Sequence, residues 1–296
     1  MIITNPNQPL VSIIVNCFNG ELFLKDCISS IINQTYKNWE IIFWDNLSTD
    51  KSKEILKSFP DKRIKYFCTE KFTTLYEARN LAINKSSGDY IAFLDTDDWW
   101  EKNRLEKQIN IFLSQKNINL VYSNFYQYNE KTKKKKIYLK NLPSGKTTQK
   151  LLDTYKIGIL TVLIKRNIFK IKTFDKKFEI IGDFDFFIKL SLDNNFYAIN
   201  EPLANYRVHK SSTSSKKINL HITELDKWLS INKNKDIFKN YSFKGVKFTS
   251  QSLKIKKNFL EGHKFKAFAE ILKPPLNLKK LKFLFFFIIP IKILNS

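Results

Sequence analysis

A chain of 296 residues with 43% hydrophobic content and 26 Phe can hold one large α/β domain plus an appendage, or two modest domains, and is excluded from the disordered class. Three cysteines, Cys17, Cys27 and Cys68, form no CxxC pair, which excludes a disulfide framework and fits a reducing compartment. The net charge of +23 rests on 46 Lys and only 5 Arg; a dedicated nucleic-acid binder would use more of the planar Arg fork, so no nucleic-acid partner is expected.

Along residues 10–128 apolar, strand-forming runs alternate with helical stripes. Val11–Asn16 reads as a strand and Glu21–Asn33 as a helix whose apolar residues (Leu22, Phe23, Cys27, Ile28, Ile31, Ile32) share a broad face. Trp39–Trp44 is a second strand, Asp50–Phe59 a helix, Ile64–Phe67 a short strand and Leu75–Lys85 a helix. Tyr90–Asp95, entered through the Gly88-Asp89 turn, is a fourth strand, and Leu120–Tyr128 a further one. This βαβαβ rhythm implies a parallel, doubly wound sheet. Lys131–Lys136 is a charge run expected at a hairpin tip or loop. Residues 145–210 form a mixed section with an apolar strand at Leu160–Ile164, and from about 215 onward the pattern is helical and Lys-rich.

In an open parallel sheet ligands sit at the carboxyl ends of the strands. The segments found there are Asn16-Cys17-Phe18-Asn19-Gly20, Asp45-Asn46-Leu47-Ser48-Thr49-Asp50 and Asp95-Thr96-Asp97-Asp98. Three carboxylates within four positions repel unless a cation or donors hold them. A hard divalent ion bridging to a phosphorylated ligand explains the cluster, and a solvated Asp-rich turn capping a helix near Glu101 is the alternative. With seven glycines and neither GxGxxG nor GxxxxGK[ST], the chain has no glycine-rich phosphate loop. No GxSxG occurs, and the three His lack zinc spacing. Trp99 and Trp100 suit either a pocket wall or the core.

In order and spacing, Val11–Asn19, Asp45–Asp50, Ala78-Arg79-Asn80 and Gly88–Asp98 resemble the motifs of family 2 glycosyltransferases of bacterial surface-polysaccharide type, over about residues 9–210. The resemblance implies an α/β GT-A fold for nucleotide-diphospho-sugar transfer. Its central sheet would be mostly parallel with flanking helices, followed by a basic helical C-terminal extension. It implies that Asn16, Phe18, Asn19, Asp45 and Asn46 line the nucleotide site, with Phe18 stacking on the base. Arg79 would hold base or phosphates, and Asp95 would bind the ribose. Asp95 and Asp97, the DxD element, would bind Mg²⁺ or Mn²⁺, with Asp98 sharing that work and His209 near the metal. Asn46 stands where a second acid is usual, and Cys17 where Thr or Ser is common.

Ile181-Gly182-Asp183-Phe184-Asp185 resembles the acidic motif of inverting members, with Asp183 as base and Asp185 in reserve. The expected division is 1–128 for the donor half, 129–214 for the acceptor half of the same domain, and 215–296 for the extension. Residues 211–296 carry 18 basic and 5 acidic side chains and end in the apolar run Phe283–Leu294. Twelve residues span about 18 Å as a helix, too short to cross a bilayer, so an interfacial anchor on an anionic membrane surface is expected, the alternative being docking on the protein itself. No signal peptide is evident, and the expected location is cytoplasmic, on the inner face of the cell membrane. The expected reaction is metal-dependent, inverting transfer from a nucleotide-sugar, UDP-linked, to a glycan or lipid-linked glycan acceptor. The alternatives are a nucleotidyltransferase acting on sugar phosphates and a non-enzymatic basic nucleic-acid scaffold.

Overall fold

The structure, a computed structural model, describes residues 8–209 and 217–273. The apolar run expected to anchor at a membrane, Phe283–Leu294, lies outside the described residues. By their internal contacts the described residues form two units, 8–148 with 156–209, and 149–155 with 217–273.

The first unit is built on strands β1 (Val11–Cys17), β2 (Trp39–Asp45), β3 (Ile64–Cys68), β4 (Tyr90–Phe93), β5 (Trp99–Trp100), β6 (Leu120–Asn129), β7 (Lys134–Ile137), β8 (Leu163–Lys165) and β9 (Phe196–Val208). They form one sheet in the order β3-β2-β1-β4-β8-β6-β9-β5, with β7 on β6. The first four are mutually parallel, as the βαβ alternation requires. Beyond β4 the sheet is mixed: β8 runs antiparallel to β4 and β6, while β9 is parallel to β6. β2 is buried at every residue, which is why its sequence is a continuous run with no alternation.

Helices α1 (Leu24–Ile32), α2 (Ser52–Lys57), α3 (Leu75–Asn84), α4 (Arg104–Ser114) and α6 (Gly182–Ser191) pack around this sheet. α1 buries Leu24, Cys27, Ile28 and Ile31, an i, i+3, i+4, i+7 stripe. It starts three residues later than its apolar pattern suggests because the Gly20 carbonyl accepts from both Phe23 and Leu24, making a turn first. α3 has a true N-cap, Thr74, whose hydroxyl accepts from the Glu77 amide. The strand expected at Leu160–Ile164 is half a 3-10 turn, Ile159–Thr161, and only then β8. Thr161 bonds its own turn through its hydroxyl to the Gly158 carbonyl, which competes with a ladder. The Lys131–Lys136 run spans the tip of the β6–β7 hairpin and the first three residues of β7, with Lys133 in the left-handed region at φ 55.

Two contacts bring the later part of this unit to α3. Asn80 exchanges both side-chain bonds with the Phe174 backbone, at 2.8 and 3.1 Å. Phe174 in turn lies between Phe93 of β4 and Phe186 of α6, at ring separations of 5.7 and 4.5 Å.

The second unit takes most of α5 (Thr148–Asp153) together with α7 (Ile218–Asn232), α8 (Lys244–Leu260) and α9 (Lys264–Leu272). Gln149 exchanges two hydrogen bonds with Ser242, and a Cβ on Gly245 would meet the Asp153 carbonyl at 2.2 Å, so only glycine allows that approach. Trp228, Phe238 and Phe243 form an aromatic cluster, and Ile255, Phe259, Ala267 and Ile271 a separate apolar one. Among the described residues no helix is long and apolar enough to cross a membrane.

Candidate active site

The loops after β1, β2 and β4 lie together at the carboxyl edge of the parallel strands. The first two are stitched by backbone bonds: Asn19 N–H to Ser48 Oγ at 3.0 Å, Thr49 N–H to Asn19 Oδ1 at 2.8 Å, and Glu21 N–H to Asp50 Oδ2 at 2.9 Å. Asn19 holds φ 53, which its short amide tolerates. Gly20 closes the third side, since a Cβ there would stand 2.9 Å from Thr96 Oγ1 in the DxD segment. Asn19 therefore builds the edge with its side chain, and Asp45 does the same: it is buried, accepting from Ser48 N–H and from the Tyr66 hydroxyl, both at 2.8 Å.

Asn46, expected at the nucleotide site, is bonded to Thr73. Its oxygen accepts from the Thr73 amide at 3.1 Å and hydroxyl at 3.0 Å, and its amide donates to the Thr73 carbonyl at 2.9 Å. Both lone pairs of its oxygen are taken, and the three bonds anchor the 69–74 loop to the end of β2. That loop presents Phe72, edge-on to Phe18 at 4.9 Å; both rings are more than half exposed. Asn16 is different again: its Nδ2, near the end of β1, is buried with no hydrogen-bond partner among the described residues.

The acids after β4 have three separate partners. Asp95 Oδ1 accepts from Arg79 Nη2 at 2.7 Å. Arg79, expected to hold base or phosphates, is 2% exposed, and its guanidinium is paired with Asp95. Asp97 Oδ2 lies 2.9 Å from His209 Nε2, which makes the imidazole the partner of that carboxylate in this conformation. Asp98 is buried and accepts from the Arg207 amide at 2.8 Å. Burial, and then the neighbouring acids, push the Asp97 carboxyl up and the Asp98 carboxyl well up.

Among the described residues no three of His, Cys, Asp and Glu make a complete metal cage. Mg²⁺ or Mn²⁺ with a diphosphate needs less: one or two carboxylates, the remaining positions being filled by phosphate oxygens and water. Asp95 and Asp97, two carboxylates close enough that the first opposes the ionisation of the second, supply the hard oxygen donors that set calls for.

Asp183 lies in the first turn of α6, where the helix dipole favours a negative charge. Its Oδ1 is 3.0 Å from the Tyr76 hydroxyl. Asp185, the reserve, is buried and held by Lys189 Nζ at 2.7 and 2.8 Å, so it is not presented to a substrate. Gly182 is demanded by Tyr76, whose ring would meet a Cβ at 2.4 Å. Gly182→Ala is expected to cost about 1–3 kcal/mol through overpacking, and about 0.5 kcal/mol or less in a Tyr76→Ala background. Urea denaturation of the four variants checks this, and equal costs in both backgrounds would contradict it.

α3 connects these groups. Tyr76 and Arg79 are three residues apart and share a helix face, the guanidinium carbon 5.2 Å from the ring centre. Asp183, Tyr76, Arg79 and Asp95 thus form one linked row.

Residues 12–172 match the family model for glycosyl transferase family 2. The chain belongs to that family. This glycosyltransferase is 37% identical over 210 residues to the Escherichia coli UDP-Glc:alpha-D-GlcNAc-diphosphoundecaprenol beta-1,3-glucosyltransferase WfgD, covering 70% of this chain and 81% of that protein. It is 31% identical over 217 residues to the Bacillus subtilis putative teichuronic acid biosynthesis glycosyltransferase TuaG, covering 71% and 83%. In structure it is similar to S. aureus TarS 1–349 in complex with UDP-GlcNAc (TM-score 0.60, 14% identity, 88% of each chain). It is equally similar to the Pyrobaculum calidifontis mannosyltransferase PcManGT in complex with GDP-Man and Mn2+ (TM-score 0.60, 15% identity, 94% and 79%). These likenesses establish the GT-A fold and set aside the nucleotidyltransferase and nucleic-acid readings.

Sequence reasoning missed Arg207 as the support of the acid loop. Its Nε donates to the Asp97 carbonyl at 2.8 Å, Nη2 to Asp26 at 2.8 Å and Nη1 to Glu130 at 2.5 Å. Its guanidinium carbon stands 4.5 Å from the Trp99 ring centre. Arg207, Trp99, Asp26, Ser29 and Tyr128 line a cavity of about 350 Å³. Trp100 is core, donating from Nε1 to the Leu160 carbonyl at 2.9 Å. One signal was available: with 5 Arg in the chain, each was worth asking what it holds.

Proposed function

We propose that this glycosyltransferase moves a sugar from a UDP-linked donor to a hydroxyl of a lipid-linked glycan, inverting the anomeric carbon, with Mg²⁺ or Mn²⁺ at Asp95 and Asp97. The observation that carries this reading is the row Asp183–Tyr76–Arg79–Asp95, which puts a helix-start carboxylate beside the acids after β4. The WfgD name, with its UDP-Glc donor and diphosphoundecaprenol acceptor, supports the donor and acceptor classes. The PcManGT complex with Mn2+ supports the cation. Residues 1–128 serve the donor and 129–214 the acceptor; 215–296, with their excess of Lys, meet an anionic inner membrane face.

Asp183 takes the acceptor hydroxyl proton as the new bond to the anomeric carbon forms. The old carbon–oxygen bond breaks, and the diphosphate leaves with the electron pair. When bound, the cation supplies positive charge against that leaving group. Phe18 and Phe72 offer the base an apolar edge, Asn16 Nδ2 offers a donor, and Arg79 and Arg207 keep the acid loop in place.

A panel of nucleotide-sugars scored by thermal shift with and without Mn²⁺ tests the donor and the cation together. A UDP-sugar at 100 times its Kd stabilises by about 2.7 kcal/mol, and the shift is expected only with Mn²⁺. Equal shifts in both conditions would remove the cation, and a preference for GDP-sugars would remove the donor assignment.

A further inference from the structure

We propose that Tyr76 is a positioning residue for the proton acceptor, its hydroxyl and ring together holding the Asp183 carboxylate in its reacting orientation. This rests on the reading of Asp183 as the base. An aspartate in the first turn of a helix has alternative staggered rotamers, whereas a general base must keep within about 2.6–3.2 Å of the proton it removes. Some group has to choose the rotamer, and Tyr76 is built to do so.

The Tyr76 ring is 2% exposed, and its hydroxyl stands 3.0 Å from Asp183 Oδ1 and 3.1 Å from the Ile180 carbonyl. The ring cannot slide. Gly182 presses on one side, where a Cβ would fall 2.4 Å away, Phe174 stands 5.5 Å off, and Arg79 lies 5.2 Å from the ring centre. Its own helix is pinned through the Thr74 cap and the Asn80–Phe174 bonds. A hydroxyl held by that many contacts fixes the carboxylate it touches. The one hydroxyl proton is shared between the Asp183 carboxylate and the Ile180 carbonyl, and a donor to a carboxylate works in favour of its ionised form. Among the described residues the charges that face Asp183 include Arg79 on α3 with the Asp95 bound to it, and its own helix carries Asp185 paired with Lys189.

The test is Tyr76→Phe in the full chain, beside wild type and Asp183→Asn, with UDP-glucose as donor and a GlcNAc-diphospholipid as acceptor. Kinetics are paired with carboxyl-carbon NMR titration of Asp183, assigned from Asp183→Asn. The expected result is a fall in kcat of about tenfold, a donor KM within about twofold, and an Asp183 titration moved upward from that of wild type. A purely structural role would leave that titration in place. An unmoved titration, or wild-type kcat, overturns the proposal. Wild-type turnover by Asp183→Asn overturns the base itself, whatever Tyr76→Phe does.

Discussion

Asp183→Asn is expected to lower kcat by about two to four orders of magnitude while leaving the fold and donor binding intact. The substitution is nearly isosteric, and the amide oxygen can still accept from the Tyr76 hydroxyl, so the packing of Tyr76 on Gly182 has no reason to change. What disappears is the capacity to take a proton. Asp185 cannot replace it, because Lys189 holds that carboxylate from both oxygens in the protein interior. Steady-state transfer measured beside UDP calorimetry separates the two effects: kcat should collapse and UDP affinity should not. Undiminished turnover would end the assignment of Asp183, and a loss of UDP affinity of the same size would place it in the donor site instead.

Asp97→Ala is expected to reduce metal-dependent transfer by about a hundred- to a thousandfold, the loss typical of removing one electrostatic stabiliser of a leaving group. A second, opposite effect separates this from general damage. Asp97 sits among Asp95 and Asp98, and burial and the neighbouring acids already oppose its ionisation. Removing it relieves like-charge repulsion and at the same time gives up the contact with the His209 ring, two opposed effects of about 1 kcal/mol each, so without metal the variant should melt close to wild type. With UDP-sugar and Mn²⁺ added, wild type should gain stability and the variant should not. A variant that melts early in the absence of metal, yet keeps the Mn²⁺-dependent gain, would make Asp97 a structural acid.

Much of this site was visible along the chain. The segments after β1, β2 and β4 were read from where apolar runs stop, and they do meet at one edge, with Gly20 against Thr96 and Asn19 against Thr49. The periodicities of strand and helix are local properties of side chains, and so the first four strands and α1 and α3 were placed within a few residues. The second half was harder. Thr161 turns back on Gly158, which shortens β8, and residues 149–155 belong with the C-terminal helices, an association without a local pattern.

The chemistry followed the same division. Which residue types crowd the edge, three acids after β4 and an acid at the start of α6, was determined by the sequence alone, because charge and its neighbours in the chain require no fold. Which partner each one takes was decided only by tertiary structure. Tyr76 reaches Asp183 across 107 residues and Arg207 reaches the Asp97 carbonyl across 110. A hydrogen bond is set by about 3 Å of space, and separation along the chain says nothing of it. Hence the partners of Arg79 and Asn46, Asp95 and Thr73, could not be read from the chain.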